Sequence, residues 1–305
     1  MLGWVGRWGL RLLYGTGGVA VALLAAVVFF QRKLIYIPNI PGVEPGYYWE
    51  PDAFGLEYED VRLQTKDGVS LHAWLVWPSS GLMRRRKKDA PVVLFFQENA
   101  GNMSFRLPFV AQMAKSCDCA VLMLSYRGYG ASSGSPSQRG LQIDSQAALD
   151  WVLQRDDIDT SKIVLFGRSL GGAVAVHLAA ANTDKIAAVI IENSFTTIPD
   201  MAGALMGFLK PIVGRGKPGN ILVRDKWNNE GIIRALKGVP TLMLSSGKDE
   251  MVPAWQMRQL YAARGTEQCE WRFFPNGRHL DLYETHSGEY WPILVQYMEA
   301  ISPHA

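Results

Sequence analysis

Three side chains in this 305-residue sequence have the types, order and setting of an acyl-transfer relay. Gly167-Arg168-Ser169-Leu170-Gly171 sets a serine between glycines, directly after the apolar run KIVLFG (162–167) and directly before the small-residue stretch GGAVAVHLAA. A serine hydroxyl is a poor nucleophile at neutral pH. It needs a general base, and the base needs a third group to fix its tautomer. Asp249, in SGKDEMVP after the run PTLMLSS, and His279, in PNGRH after EWRFFP, follow the serine in the order nucleophile, acid, base. Glu250 competes for the acid position, but an acid leading into Val-Pro better suits such a loop. The other histidines sit less well: His72 in an early hairpin, His177 on the helix behind the serine, His286 beyond His279, and His304 near the terminus. The pentapeptide alone decides little, because Gly130-Ala131-Ser132-Ser133-Gly134 matches it too. No helical stretch follows that second match, which reads as a turn.

Acyl transfer also needs N–H donors aimed at the developing oxyanion, and a missing donor costs about 2.7–4 kcal/mol of barrier. The backbone N–H of Leu170 is one expected donor. The second is expected in the loop QENAGN (97–102), at the N–H of Asn99.

To gather these groups at one edge, the chain needs strands that end together. Residues 58–64, the turn Thr65-Lys66-Asp67-Gly68 and residues 69–78 read as an antiparallel hairpin. Apolar runs at 91–96, 120–126, 162–167, 187–192, 240–246 and 270–275 suit strands buried on both faces, with helical periodicity between them. This alternation predicts an α/β fold: a mostly parallel central sheet with helices on both faces and right-handed crossovers. The stretch Ile198 to Leu236 breaks the rhythm, with prolines and glycines among apolar patches such as MAGALMGFLKPIV. An insertion there sits over the carboxyl ends of the strands, where open α/β sheets bind ligands, and so reads as a lid. It is too apolar for a solvated loop.

Ahead of the catalytic domain, expected at 57–305, lie a segment at 1–34 and a linker at 35–56. Residues 12–30 carry no charge and are bracketed by Arg7 and Arg11 on one side and Arg32 and Lys33 on the other. Nineteen residues at about 1.5 Å each reach the thickness of a hydrocarbon core, so a transmembrane anchor in a lipid bilayer is expected. A cleaved signal peptide is the alternative, but the run ends in VVFFQRK without a small-x-small site. The flanking charges balance, and only the terminal amine favours an N-inside arrangement with the domain lumenal or extracellular. A sequon at Asn102-Met103-Ser104 pulls the other way, since a glycan there would obstruct the site.

Composition sets further bounds. A formal net charge of +3 and the lack of any zinc-finger or RNA-binding signature argue against a nucleic-acid partner. Cys117, Cys119 and Cys269 form no disulfide framework or zinc set and read as small buried hydrophobes, and no metal or cofactor is expected. The run Arg84-Arg85-Arg86-Lys87-Lys88 reads as a solvated loop, with an anionic-lipid patch as the other possibility.

QENAGN, SYRGYGASSG, FGRSLGGAVAVHLA and IENSFTTIPDM resemble the membrane-anchored α/β hydrolases of the domain-containing protein 13 type, related to yeast bud-emergence and plant wavy-growth proteins. The resemblance covers about residues 20–300. It implies the α/β-hydrolase fold, an N-terminal single-pass anchor and a Ser169, Asp249, His279 triad. Ester or thioester hydrolysis through an acyl-enzyme follows as the expected activity, with an acyl-lipid or acylated-protein substrate suggested by the anchor and the apolar lid. The chain departs from the wider fold at Gln97-Glu98, where His-Gly is common. A carboxylate beside a forming oxyanion is unfavourable unless turned away or neutralised, for which Arg127 or Arg106 is available, although Arg127, in Tyr126-Arg127-Gly128-Tyr129-Gly130, reads rather as structural, its fork bonding carbonyls beneath a tight turn. Glu98 therefore supports a competing reading, a non-catalytic membrane-anchored scaffold.

Overall fold

A computed structural model describes residues 18–19, 22–79, 83, 86–267 and 269–301. Eight strands form one sheet in the order β1-β2-β4-β3-β5-β6-β7-β8. The hairpin pairs β1 (Leu56–Gln64) with β2 (Ser70–Pro78), and β2 runs antiparallel to β4 (Ala120–Ser125). The remaining strands, β3 (Val92–Phe96), β5 (Ile163–Arg168), β6 (Ala188–Glu192), β7 (Thr241–Ser246) and β8 (Cys269–Phe274), continue in parallel from β4. Each expected strand is present. β3 to β7 are buried along their whole length, as strands covered on both faces must be.

Helices cover both faces. On one, α3 (Gln138–Leu153), α4 (Leu170–Ala181), α6 (Asn229–Ala235) and α7 (Ala254–Arg264) close a core that includes Leu94, Leu165, Ile191 and Met243. On the other, α2 (Leu107–Cys117), α8 (Leu282–Thr285) and α9 (Ser287–Ile301) close a second core around Phe95, Phe109, Phe166 and Tyr290. All three cysteines are buried thiols.

The insertion between β6 and β7 holds α5 (Ile198–Leu205) and two short 3-10 turns before α6. Residues 22–35 are helical and are called α1. Among the described residues no helix is long and apolar enough to cross a membrane; the expected span at 12–30 falls partly outside them. The stretch expected to be a linker is built into the domain at its start. Tyr36 is buried, and its hydroxyl donates to Asp225 while accepting from the Trp227 indole. The Ile37 N–H donates to the Asn99 carbonyl, Gly101 N–H donates to the Ile37 carbonyl, and the Asn99 side chain donates to the Ile35 carbonyl. Of the basic run, Arg84 and Arg85 lie outside the described residues. Arg86 pairs with Asp89, and Lys87 reaches Glu57 while covering the Trp77 ring.

Candidate active site

The turn from β5 into α4 explains the glycines of the pentapeptide. Ser169 has φ +55° and ψ −118°, a conformation that side chains rarely adopt and that lifts the hydroxyl off the sheet edge. A strand can double back this sharply only where backbones nearly touch. A Cβ on Gly167 would run into the Gly171 carbonyl, and one on Gly171 would run into the Phe96 carbonyl. The second pentapeptide forms a turn instead, with the Ser132 hydroxyl donating to the Ser125 carbonyl.

Asp249 follows β7 and His279 follows β8. The ring Nδ1 of His279 lies 2.7 Å from Asp249 Oδ2, and both side chains are almost fully shielded from solvent. The other Asp249 oxygen accepts the N–H groups of Met251 and Val252, at 2.8 and 2.7 Å. Those bonds aim the carboxylate at the ring, and with Nδ1–H committed to it, Nε2 is left as the basic nitrogen. Glu250 does not compete for the ring: its exposed carboxylate takes the backbone N–H of His279 and faces Arg278. Ser169 and His279 line one cavity of about 330 Å³, walled mostly by apolar side chains from α5 and from Leu34 and Ile35 of α1. A roomier polar depression of about 610 Å³, bounded by Arg32, Arg139, Arg224 and Asp225, contains none of the three.

Asn99 and Leu170 border the serine's cavity, and among the described residues neither backbone N–H donates to a protein acceptor. Leu170 is the first residue of α4, where a helix leaves its N–H groups unpaired. Glu98 also faces this cavity, but its charge is balanced. Arg168 Nη1 lies 3.0 Å from Glu98 Oε1, and Arg106 Nε makes a close charge contact with Oε2 outside hydrogen-bond alignment. Burial pushes the Glu98 carboxyl up, but the Arg106 and Arg168 guanidinium groups outweigh it and hold the group at about 2. Arg168 bridges on to Glu192 at 2.7 Å, Glu192 accepts the Tyr290 hydroxyl, and the guanidinium lies over the Phe109 ring. Two cations and two anions therefore sit beneath the serine with no net charge.

Of the two arginines weighed as partners of Glu98, Arg106 fills that place, and Arg127 is structural as read. Arg127 spans Asp144 and Asp67, so its fork grips carboxylates rather than turn carbonyls. The partner that the sequence left unseen is Arg168. In parallel register Arg168 stands beside Glu192, opposite charges ending two neighbouring strands, and that pattern was readable once the strands were paired. Asn193 was also missed. At φ +47°, a turn asparagine tolerates better than most residues, its side chain donates to Ser246 Oγ and the His279 carbonyl and accepts from the Ser246 N–H. It thereby ties the histidine loop to the ends of β6 and β7.

Comparison with known proteins agrees with this architecture. A family model described as the alpha/beta hydrolase fold matches residues 91–220. The chain is 46% identical to the Alpha/beta hydrolase domain-containing protein WAV2 of Arabidopsis thaliana, over 96% of this chain and 95% of that one. It is 37% identical to Protein bem46 of Schizosaccharomyces pombe, over 88% and 86%. It is 30% identical to a Saccharomyces cerevisiae protein named Uncharacterized membrane protein YNL320W, over 95% and 97%. Among solved structures, the esterase Pf2001 of Pyrococcus furiosus superposes with a TM-score of 0.67 at 15% identity, over 88% of this chain and 98% of that one.

Proposed function

Because this chain belongs to the α/β-hydrolase domain-containing proteins of the WAV2 and bem46 kind, we propose that it is a serine hydrolase acting on ester or thioester bonds of acyl-lipids or acylated proteins. The observation that carries this reading is the pairing of a strained Ser169 with a buried, Asp249-held His279 on one apolar cavity. Ser169 Oγ attacks the acyl carbonyl as His279 Nε2 takes its proton. Asp249 stabilises the imidazolium, and the N–H groups of Leu170 and Asn99 receive the oxyanion. The leaving alcohol or thiol takes the proton from His279, and water then releases the acyl group by the same path.

The scaffold reading drew its support from Glu98, and a carboxylate flanked by two guanidinium groups no longer supplies it. A fluorophosphonate probe tests the enzyme: labelling of the wild type, lost in Ser169→Ala and reduced in His279→Ala, is expected. No labelling of folded protein would sink the reading.

The same proposal has the domain tethered to a bilayer through the N-terminal segment. The name of the yeast relative supports it, as do the exposed apolar side chains of Leu23, Phe29 and Phe30 on α1, since a helix apolar all round is buried in protein or lipid. Protease protection on sealed vesicles, which should spare the domain if it lies lumenally, tests the orientation.

A further inference from the structure

Helix α1 does more than lead into the domain. Leu24, Val27, Val28, Gln31, Leu34 and Ile35 recur at helical spacing and form one stripe, which lies against the insertion. Between the stripe and Ile198, Met206, Ile212 and Leu222 runs a narrow slot of about 70 Å³. Among the described residues its only polar lining side chain is Gln31, and both of that amide's N–H donors are engaged. Its nitrogen donates to the Val28 and Leu222 carbonyls, and its oxygen accepts the Arg224 N–H, stapling α1 to the insertion. A slot of roughly this size has room for water, but water needs two or more polar partners, and the described lining side chains offer at most the second lone pair of the Gln31 oxygen, so the favoured guest is apolar.

The slot abuts the nucleophile's cavity. Leu34, Ile35, Ile198, Ala202 and Met206 border both spaces. Outside, the exposed apolar side chains of Phe29 and Phe30 on α1 and of Phe208 and Ile221 on the insertion flank this region. Cavity and slot thus share an apolar wall between Ser169 and α1.

We propose that this slot receives the distal part of a linear acyl chain whose carbonyl lies at Ser169, so that α1 is one wall of the acyl site and Val28 sets the chain length accepted. The position of the carbonyl rests on the hydrolytic reading above; occupation of the slot does not.

The test uses the full chain in nanodiscs and compares labelling by butyl and dodecyl fluorophosphonates. Val28→Trp fills the slot from α1, and Ala202→Phe fills it from the opposite wall. Each methylene withheld from an apolar site weakens binding roughly fourfold (about 0.8 kcal/mol), so excluding two or more should lower the dodecyl-to-butyl rate ratio by about tenfold or more. Leu23→Trp, on the exposed face of α1, should leave the ratio as in the wild type. An unchanged ratio in both slot variants would overturn the proposal, as would an equal fall in the Leu23 variant. If neither probe labels folded wild type, the hydrolytic reading fails alone. Binding of a fluorescent stearate then decides the slot: saturable binding weakened by Val28→Trp upholds it, and no binding or unweakened binding rejects it.

Discussion

Glu98→Gln isolates the buried charge network beneath the serine. In the folded protein the Glu98 carboxyl is held at about 2 rather than its ordinary 4.5, because two guanidinium groups outweigh its desolvation. That difference corresponds to roughly 3 kcal/mol of preferential stabilisation of the ionised form. Removing one member of a buried ion pair costs a similar amount, about 3–5 kcal/mol, since the partners stay buried without compensation. The variant should therefore lose roughly 3 kcal/mol, which for a domain of this size lowers Tm by roughly 6–12 °C. A carboxyl with a depressed folded value contributes stability above its unfolded value and loses it as pH falls through the folded one. The gap between wild type and variant should therefore be full above about pH 4.5 and close toward pH 2. Melting of the full chain, followed by tryptophan fluorescence across that range, measures the gap. Adding Arg106→Gln leaves Arg168 balanced by Glu192, so the double variant should recover part of the loss, with a coupling of about 1 kcal/mol or more. A Glu98→Gln variant as stable as wild type at neutral pH, a gap that persists near pH 2, or strict additivity would each refute the account.

Asp249→Asn leaves the loop bonds to Met251 and Val252 available but presents the wrong group to His279 Nδ1; fluorophosphonate labelling should fall on the order of 10³–10⁴-fold while Tm moves little. Asn193→Ala strips the buried partners of the Ser246 N–H and the His279 carbonyl, and should cost about 2–3 kcal/mol in a denaturant melt while slowing labelling. Asn102 is buried, with its amide donating to Gly46 and its carbonyl accepting from Ser104. No glycan fits there, so glycosidase treatment should leave gel mobility unchanged despite the sequon.

What the sequence made legible was whatever depends on neighbours along the chain. Apolar runs located β3 to β7 because a strand buried on both faces has no freedom to be polar, whereas β1 and β2 showed through the turn that joins them and β8, half of it exposed, through its aromatic residues. The elbow was readable because its strand, strained serine and helix are contiguous, and Asp249 and His279 because each follows a strand directly. Partnerships across the fold were not legible. Arg168 meets Glu98 across 70 positions, and nothing local distinguishes Arg106 from Arg127 as the partner of that carboxylate. The stretch 35–56 read as a linker, yet residues 35–37 at its start hydrogen-bond to the 99–101 loop beside the candidate site, contacts far apart along the chain.

That docking fixes a phase as well as a position. Tyr36 and Ile37 are pinned to the domain, and the helix ends at residue 35, immediately before them. One residue added at this junction would turn α1 by about 100° relative to the domain and swing the Leu24, Val27 and Val28 stripe away from the insertion. A substitute leader of equal hydrophobicity but different phase would therefore keep the proposed anchoring while misaligning the wall beside Ser169. Trimming the chain back past residue 37 would remove the struts of the Asn99 loop together with the segment proposed as the anchor. Loss of activity in such a protein would not distinguish a need for lipid from a damaged site, whereas a single-residue insertion or deletion before Tyr36 would separate the two.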